Sequence, residues 1–295
     1  MNKISVNLRK KFFDILIRNS SSEFVQYLRA YEDLSRSSSE AFEISCELVN
    51  GIKVDNVRLS IEGLRRINVL KWLEACHRPI PFIEDLLYKN STEHCFGIGL
   101  ADYPSGGGTC RIKIYNFYGR LQSQAKKLAH IRKVFSLLNI PDDQFKKDYE
   151  RFKRVEFSGI DWDQEGKVTF KVYFGLFPLD HLFDKFFQIF KKDEMKKYEA
   201  LRKRGLLPEK FICCAKYSQK GSSLRTDMRY QTRKISPFLK IFDVKQEVLA
   251  SIADFYKVFN DIKLEYIAMQ WVPVQKIQFY FNFNSSRYGV RQTHD

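Results

Sequence analysis

Arginine, lysine and tyrosine recur at every second position in several separate stretches of this sequence. Arg58 stands between Asn56 and Ser60, and Arg111, Lys113 and Tyr115 follow one another at intervals of two. The same spacing holds for Lys171 and Tyr173, for Arg225, Asp227 and Arg229, and for Lys276, Gln278, Tyr280 and Asn282. Between them lie apolar residues such as Val57, Leu59, Ile61, Ile112, Ile114, Val172, Phe174, Ile277, Phe279 and Phe281. A period of two places these sets on opposite faces of a β-strand. The alternation is clean in four stretches and blurred around Arg225. Cations gathered on one face need an anion, because two unit charges 4 Å apart interact by about 4 kcal/mol at an effective dielectric near 20. Arginine and lysine beside tyrosine hydroxyls suit a diphosphate. Each aromatic face stabilises a neighbouring cation by about 0.5–2 kcal/mol. A carbocation left behind by a departing diphosphate would use both kinds of side chain.

The elements that must position these residues repeat along the chain. In "GKVTFKVYF" (166–174), Val168, Phe170, Val172 and Phe174 form one face, and Lys167, Thr169, Lys171 and Tyr173 the other. Four further hairpins read the same way, so that hairpins are expected near 42–62, 94–119, 154–175, 210–233 and 264–284. Four of the five links contain glycine, which tolerates positive φ in tight turns. The interval is roughly 55 residues, the size of a supersecondary repeat. Segments with apolar residues three and four apart lie between the hairpins, most clearly "IRKVFSLLNI", "LDHLFDKFFQIF" and "VLASIADFYKVFNDI". Ten antiparallel strands remove their exposed edges by closing into a barrel. Helices then cover the apolar outer face, and the basic and tyrosine-rich face lines a lumen wide enough for a ligand.

Composition narrows the classes. The 295 residues are 44% hydrophobic and 15% aromatic, which is enough for a sizeable core. No apolar run reaches the length of a membrane-spanning helix, and the N-terminus has no clear h-region or cleavage site. We therefore expect a cytoplasmic protein that begins with an amphipathic helix. The formal net charge of +15 implies an anionic partner, although "KKDEMKKYEALRKR" (191–204) reads as a solvated mixed-charge helix. The six cysteines lack paired spacing and read as reduced thiols, and the five histidines are scattered. "DDQFKKD" (142–148) lacks the DDxxD spacing by which trans-prenyl synthases hold Mg2+. No Walker A motif is present, and "PSGGG" precedes a strand rather than a helix. Ser20 to Glu23 reads as a capping box.

Together these features resemble the ABBA-type, or PT-barrel, prenyltransferases, and among them the cyanobactin peptide prenyltransferases. The likeness rests on "FKVYF" (170–174), "EISC" (43–46) followed by Arg58, "GIGL" (97–100), "GIDW" (159–162) and "QKIQFYFNF" in the last strand. Gly99 stands where the subgroup has aspartate, and Gln278 where it has a basic residue. The resemblance implies an α+β fold: five αββα repeats forming a ten-stranded antiparallel barrel with helices outside, in one domain over 1–295. It implies a prenyltransferase that moves a geranyl or dimethylallyl group from its diphosphate to a side chain of a cyclic peptide. Glu43 would accept a hydrogen bond or proton from the acceptor. Arg58, Arg111, Lys113, Lys171, Arg225 and Arg229 would grip the diphosphate, with Mg2+ on its oxygens and no protein metal site. Tyr115, Tyr173 and Tyr280 would shield the allylic cation. In the subgroup a residue on the first strand of the fourth hairpin limits donor length. Cys213 falls near that place and is small, which favours geranyl. The expected enzyme is a monomer that binds neither nucleic acid nor membrane. Two alternatives are an aromatic small-molecule prenyltransferase of the same fold and a non-enzymatic basic binder of nucleic acid or acidic lipid. The latter would need its cations on an outer face.

Overall fold

The computed structural model describes residues 6–18, 20–34, 41–49, 52–53, 57–77, 80–88, 96–103, 109–118, 123–163, 166–178, 192–208, 210–232, 236–242, 263–270 and 276–282. The strands are β1 (Ala41–Val49), β2 (Ile52–Lys53), β3 (Val57–Leu64), β4 (Phe96–Tyr103), β5 (Thr109–Phe117), β6 (Val155–Trp162), β7 (Val168–Pro178), β8 (Lys210–Ser218), β9 (Gly221–Thr232), β10 (Lys263–Gln270) and β11 (Lys276–Asn282). Each long strand pairs antiparallel with the next, and β1 pairs with β11 from Glu43↔Asn282 to Val49↔Lys276. The ten long strands thus form a closed wall. The two-residue β2 pairs only with the end of β1 and extends the first hairpin.

The expected αββα order is visible in the helices. They are α1 (Val6–Arg18), α2 (Ser22–Leu34), α3 (Arg66–Ala75), α4 (Ile83–Leu86), α5 (Gln124–Leu137), α6 (Asp143–Phe152), α7 (Lys192–Lys203) and α8 (Ser236–Ile241). "IRKVFSLLNI" runs through α5, and the mixed-charge stretch is α7. "LDHLFDKFFQIF" and "VLASIADFYKVFNDI" lie outside the described residues.

The apolar face of each strand packs outward against these helices. Ile44, Leu59, Ile98, Ile114, Phe170 and Phe174 join Phe24, Trp72, Ile131, Val134, Phe135 and Phe145 in one buried cluster. Several polar groups within this layer are paired. Tyr118 Oη lies 2.8 Å from both His130 Nδ1 and Ser158 Oγ, and Trp72 Nε1 donates to the Tyr27 carbonyl at 3.0 Å. The α2 cap is Ser21 rather than Ser20. Ser21 Oγ accepts from the Phe24 amide at 3.3 Å and donates to Asp102, whereas Ser20 Oγ donates to the Leu16 carbonyl.

The two ends of the barrel differ. The strand ends of the hairpins lie together at one end, as with Asp102 beside Cys110, Trp162 beside Val168 and Ser218 beside Gly221, and Gly166 and Gly221 take φ of +75° and +129° there. This is the hairpin end; at the opposite, helix-linked end β3 runs into α3 and α6 into β6.

Candidate functional site

Strand pairing decides which side chains enter the lumen, because directly paired residues share a face. Ser45 pairs with Arg58, Gly99 with Lys113, Lys113 with Asp161, and Tyr115 with Gly159. The series continues through Gly159 with Lys171, Lys171 with Lys216, Cys214 with Arg225, and Tyr280 with Ser45. One inward face therefore carries Glu43, Arg58, Lys113, Tyr115, Lys171, Tyr173, Arg225 and Tyr280, as the two-residue period predicts.

The middle of the lumen is a layer of buried charge. Arg58 is ion-paired with Glu47, Lys171 with Asp161, and Arg225 Nη2 with Asp227 Oδ2 at 2.8 Å. Gln278 ties the first and third pairs together: its amide nitrogen donates to Glu47, and its oxygen accepts from Arg225 and from Tyr280 Oη, both at 2.6 Å. Burial opposes ionisation of Glu47, but Arg58, Lys276, Lys113 and Lys216 outweigh it and hold the carboxyl well below its usual range. Burial likewise opposes ionisation of Asp161, which Lys171 and Lys113 nonetheless bring down to about 2.

Two lysines in this layer have lowered pKa values. Lys113 is buried and makes no side-chain hydrogen bond or ion pair among the described residues. Its burial, with Arg58 and Lys171 nearby, pushes its pKa well below that of free lysine. Burial, then Arg225 and Lys171, lowers Lys216 to about 7. An anion entering here would favour the protonated, charged form of both lysines.

Toward the helix-linked end the lumen becomes aromatic. Tyr115, Phe157, Tyr173, Tyr266 and Tyr280 surround a small cavity with Glu43, Ile212, Arg225 and Asp227. The Phe157 and Tyr173 rings stack at 3.9 Å, and the Arg225 guanidinium lies 6.0 Å from the Tyr173 ring centre. Burial raises the pKa of Tyr115, Tyr173 and Tyr280, so all three are neutral phenols with intact π faces. Glycines on the flanking strands make room for Tyr115. A Cβ at Gly159 would lie 3.0 Å from its ring, and one at Gly99 would lie 3.4 Å from it.

The structure gathers Glu43, Arg58, Lys113, Lys171, Arg225 and the three tyrosines into one interior. It separates two of the expected cations from them. Arg111 is exposed at the hairpin end, 4.8 Å from the Tyr103 ring. Arg229 pairs with Lys210 and Tyr266 near the opposite end. Cys213 needs a correction. It pairs with Phe174 and Thr226 and is buried in the outer cluster, whereas Ile212 and Cys214 pack with Tyr173 inside. A one-residue difference in register reverses the face, so Cys213 cannot form the wall beside a donor. The sequence reading also overlooked Asp161, Lys216 and the pairing role of Glu47. Asp161 and Lys216 lie on the first strands of their hairpins, whose polar faces carry fewer cations and so give a weaker alternation. Each has the parity of a recognised inward residue, and that parity was the available signal.

No family model and no curated protein matches the sequence. Solved structures do match across most of the chain. AnaPT from Neosartorya fischeri superposes with a TM-score of 0.59 and 13% identity, over 93% of this chain and 92% of that one. The 6-dimethylallyltryptophan synthase from Micromonospora olivasterospora, solved with DMASPP and Trp, gives 0.62 and 11%, over 83% and 82%. The prenyltransferase PriB, solved in its apo form, gives 0.62 and 13%, over 95% and 96%. At these identities the likeness is one of fold: the chain has the closed ten-stranded barrel with outer helices of the ABBA-type prenyltransferases.

Proposed function

We propose that the protein is a prenyltransferase that ionises an allylic diphosphate inside its barrel and passes the prenyl group to an acceptor. The observation that carries this reading is the juxtaposition of buried Lys113 with a cavity walled by neutral tyrosines. Arg58, Lys113, Lys171, Lys216 and Arg225 would hold the diphosphate as the carbon–oxygen bond breaks and its electron pair leaves with the anion. Tyr115, Tyr173 and Tyr280 would face the cation, in a site whose walls limit the access of water. The acceptor's nucleophile then bonds to the allylic carbon, and Glu43 takes the proton released. The resemblance implies Mg2+ carried on the diphosphate oxygens.

The wall near the cavity is formed by Ile212, Phe157, Tyr173 and Tyr266 rather than by a small cysteine. That bulk favours a five-carbon dimethylallyl donor over the geranyl donor that Cys213 implied. For the acceptor, the motif resemblance supports a cyclic peptide. A tryptophan-like small aromatic is the second reading, supported by the narrow aromatic cavity and by the neighbour solved with Trp.

The test is incubation with Mg2+, five- and ten-carbon allylic diphosphates, and a panel of cyclic peptides and free aromatic amino acids. Mass spectrometry should find addition of one prenyl unit. Glu43→Gln should cut turnover by about 10²–10⁴-fold while donor affinity holds. No addition to any acceptor would refute prenyl transfer to these classes.

A further inference from the structure

The two ends of the lumen carry opposite chemistry. At the helix-linked end, the described lining of the aromatic cavity includes the carboxylates Glu43 and Glu62 and the ion pair of Asp227 with Arg225. At the hairpin end, a cavity of about 300 Å³ is lined by Lys216, Lys220 and Lys276, with no carboxylate among the described residues of its walls. It adjoins a second cavity of about 450 Å³, which shares Thr169, Ser218 and Lys220 with it and adds Arg111 and Lys167, facing Asp161 and Asp163. The cations are graded in depth. Lys167 and Lys220 are exposed on the rim, Lys276 is half-buried below them, and Lys216 and Lys113 lie deeper in the barrel.

We propose that the hairpin end is a dedicated mouth for the diphosphate group, through which the donor's head group is captured and pyrophosphate leaves, while the acceptor uses the aromatic end. This rests on the prenyl-transfer reading above. The physical reason is electrostatic. A mouth in which one sign of charge predominates raises the local concentration of its counter-ion and speeds association by about 10–10³-fold. A trianionic head group would meet the carboxylates of Glu43 and Glu62 at the other end, where Arg225 is already paired with Asp227, and a run of lysines at this one. Separate mouths also let pyrophosphate depart without passing the acceptor that has just been alkylated.

The test uses inorganic pyrophosphate and the full-length protein, with association followed by stopped-flow intrinsic fluorescence at low ionic strength. The rim variant Lys167→Glu/Lys220→Glu changes two exposed side chains outside the buried charge layer. The control Lys210→Glu reverses an exposed lysine at the helix-linked end. Circular dichroism checks that both fold. The proposal expects the rim variant to slow association by about tenfold or more, the difference to shrink as salt is added, and the control to associate like wild type. An unchanged rim variant, or a control slowed more than the rim variant, overturns the two-mouth proposal and leaves prenyl transfer standing. A wild-type protein that does not bind pyrophosphate at all overturns the functional reading itself.

Discussion

At the scale of single residues, the lumen cations are not equivalent. Arg58 and Lys171 neutralise buried carboxylates, and Arg58→Ala would leave Glu47 short of its main partner. Breaking a buried pair in this way costs about 3–5 kcal/mol, so a loss of activity in that variant would mix unfolding with lost binding. Lys113 is the cleaner probe, since it makes no ion pair among the described residues. Lys113→Met should leave the urea-unfolding free energy unchanged or higher. It should weaken pyrophosphate binding by about 10- to 100-fold, the worth of a charged hydrogen bond, read by calorimetry. Lys216 gives a pH signature. Its folded value of about 7 lies below the 10.5 of free lysine. Between those values the unfolded chain binds more protons, so the lysine destabilises the fold below about pH 7 and the penalty fades as pH rises toward 10.5. The stability advantage of Lys216→Met over wild type should therefore shrink between about pH 6.5 and about pH 9.5. Pyrophosphate affinity should fall over the same range, because the anion favours the protonated lysine. A stability difference that does not change with pH would show that Lys216 titrates normally.

At the scale of elements, β4, β5 and β6 act as a mould for one side chain. Gly97 and Gly99 on β4 and Gly159 on β6 flank Tyr115 on β5. A Cβ at Gly159 would contact Tyr115 Cδ1 at 3.0 Å, closer than side chains normally approach. Gly159→Ala should destabilise the protein by about 1–3 kcal/mol through overpacking. In a Tyr115→Ala background the same change should be nearly neutral, because the colliding ring is gone. A double-mutant cycle in urea should then give a coupling of at least about 1 kcal/mol. Additive effects would mean that the glycines serve the backbone rather than the tyrosine. The glycines of "GIGL" and "GIDW" are thus legible as a steric device once the tyrosine between them is known.

At the scale of the whole molecule, closure creates the site. Glu47 and Gln278 lie 231 residues apart in sequence, and they meet only because β1 pairs with β11. The charge layer is consequently assembled from both ends of the chain, and an anion bound there stabilises the closed barrel as a unit. Pyrophosphate at about 100 times its Kd should add about 2.7 kcal/mol of stability and raise Tm by about 5 °C. Sodium chloride at matched ionic strength should not reproduce the shift, and Lys113→Met should reduce it. A Tm rise of equal size with chloride would indicate nonspecific screening of the +15 net charge.

The barrel, its repeat and the inward face of most strands were legible in the sequence, because a strand's two faces are written by a period of two and a hairpin by its turn glycine. Lys171 and Tyr173 belong to the lumen by that rule alone, as do Glu43 and Arg58. Tertiary structure decided what parity cannot express. Cys213 and Cys214 are neighbours in sequence, and only the pairing of β7 with β8 tells which of them faces inward. The neutralisation of Arg58 by Glu47 and of Lys171 by Asp161 depends on which strands lie side by side. So does the lowered pKa of Lys113. The division of Arg111 and Arg229 between opposite ends depends on strand register, since two residues of one face can stand far apart along the barrel axis. Alternation specifies a face locally, whereas depth, partners and charge balance are set by contacts between strands distant in the chain.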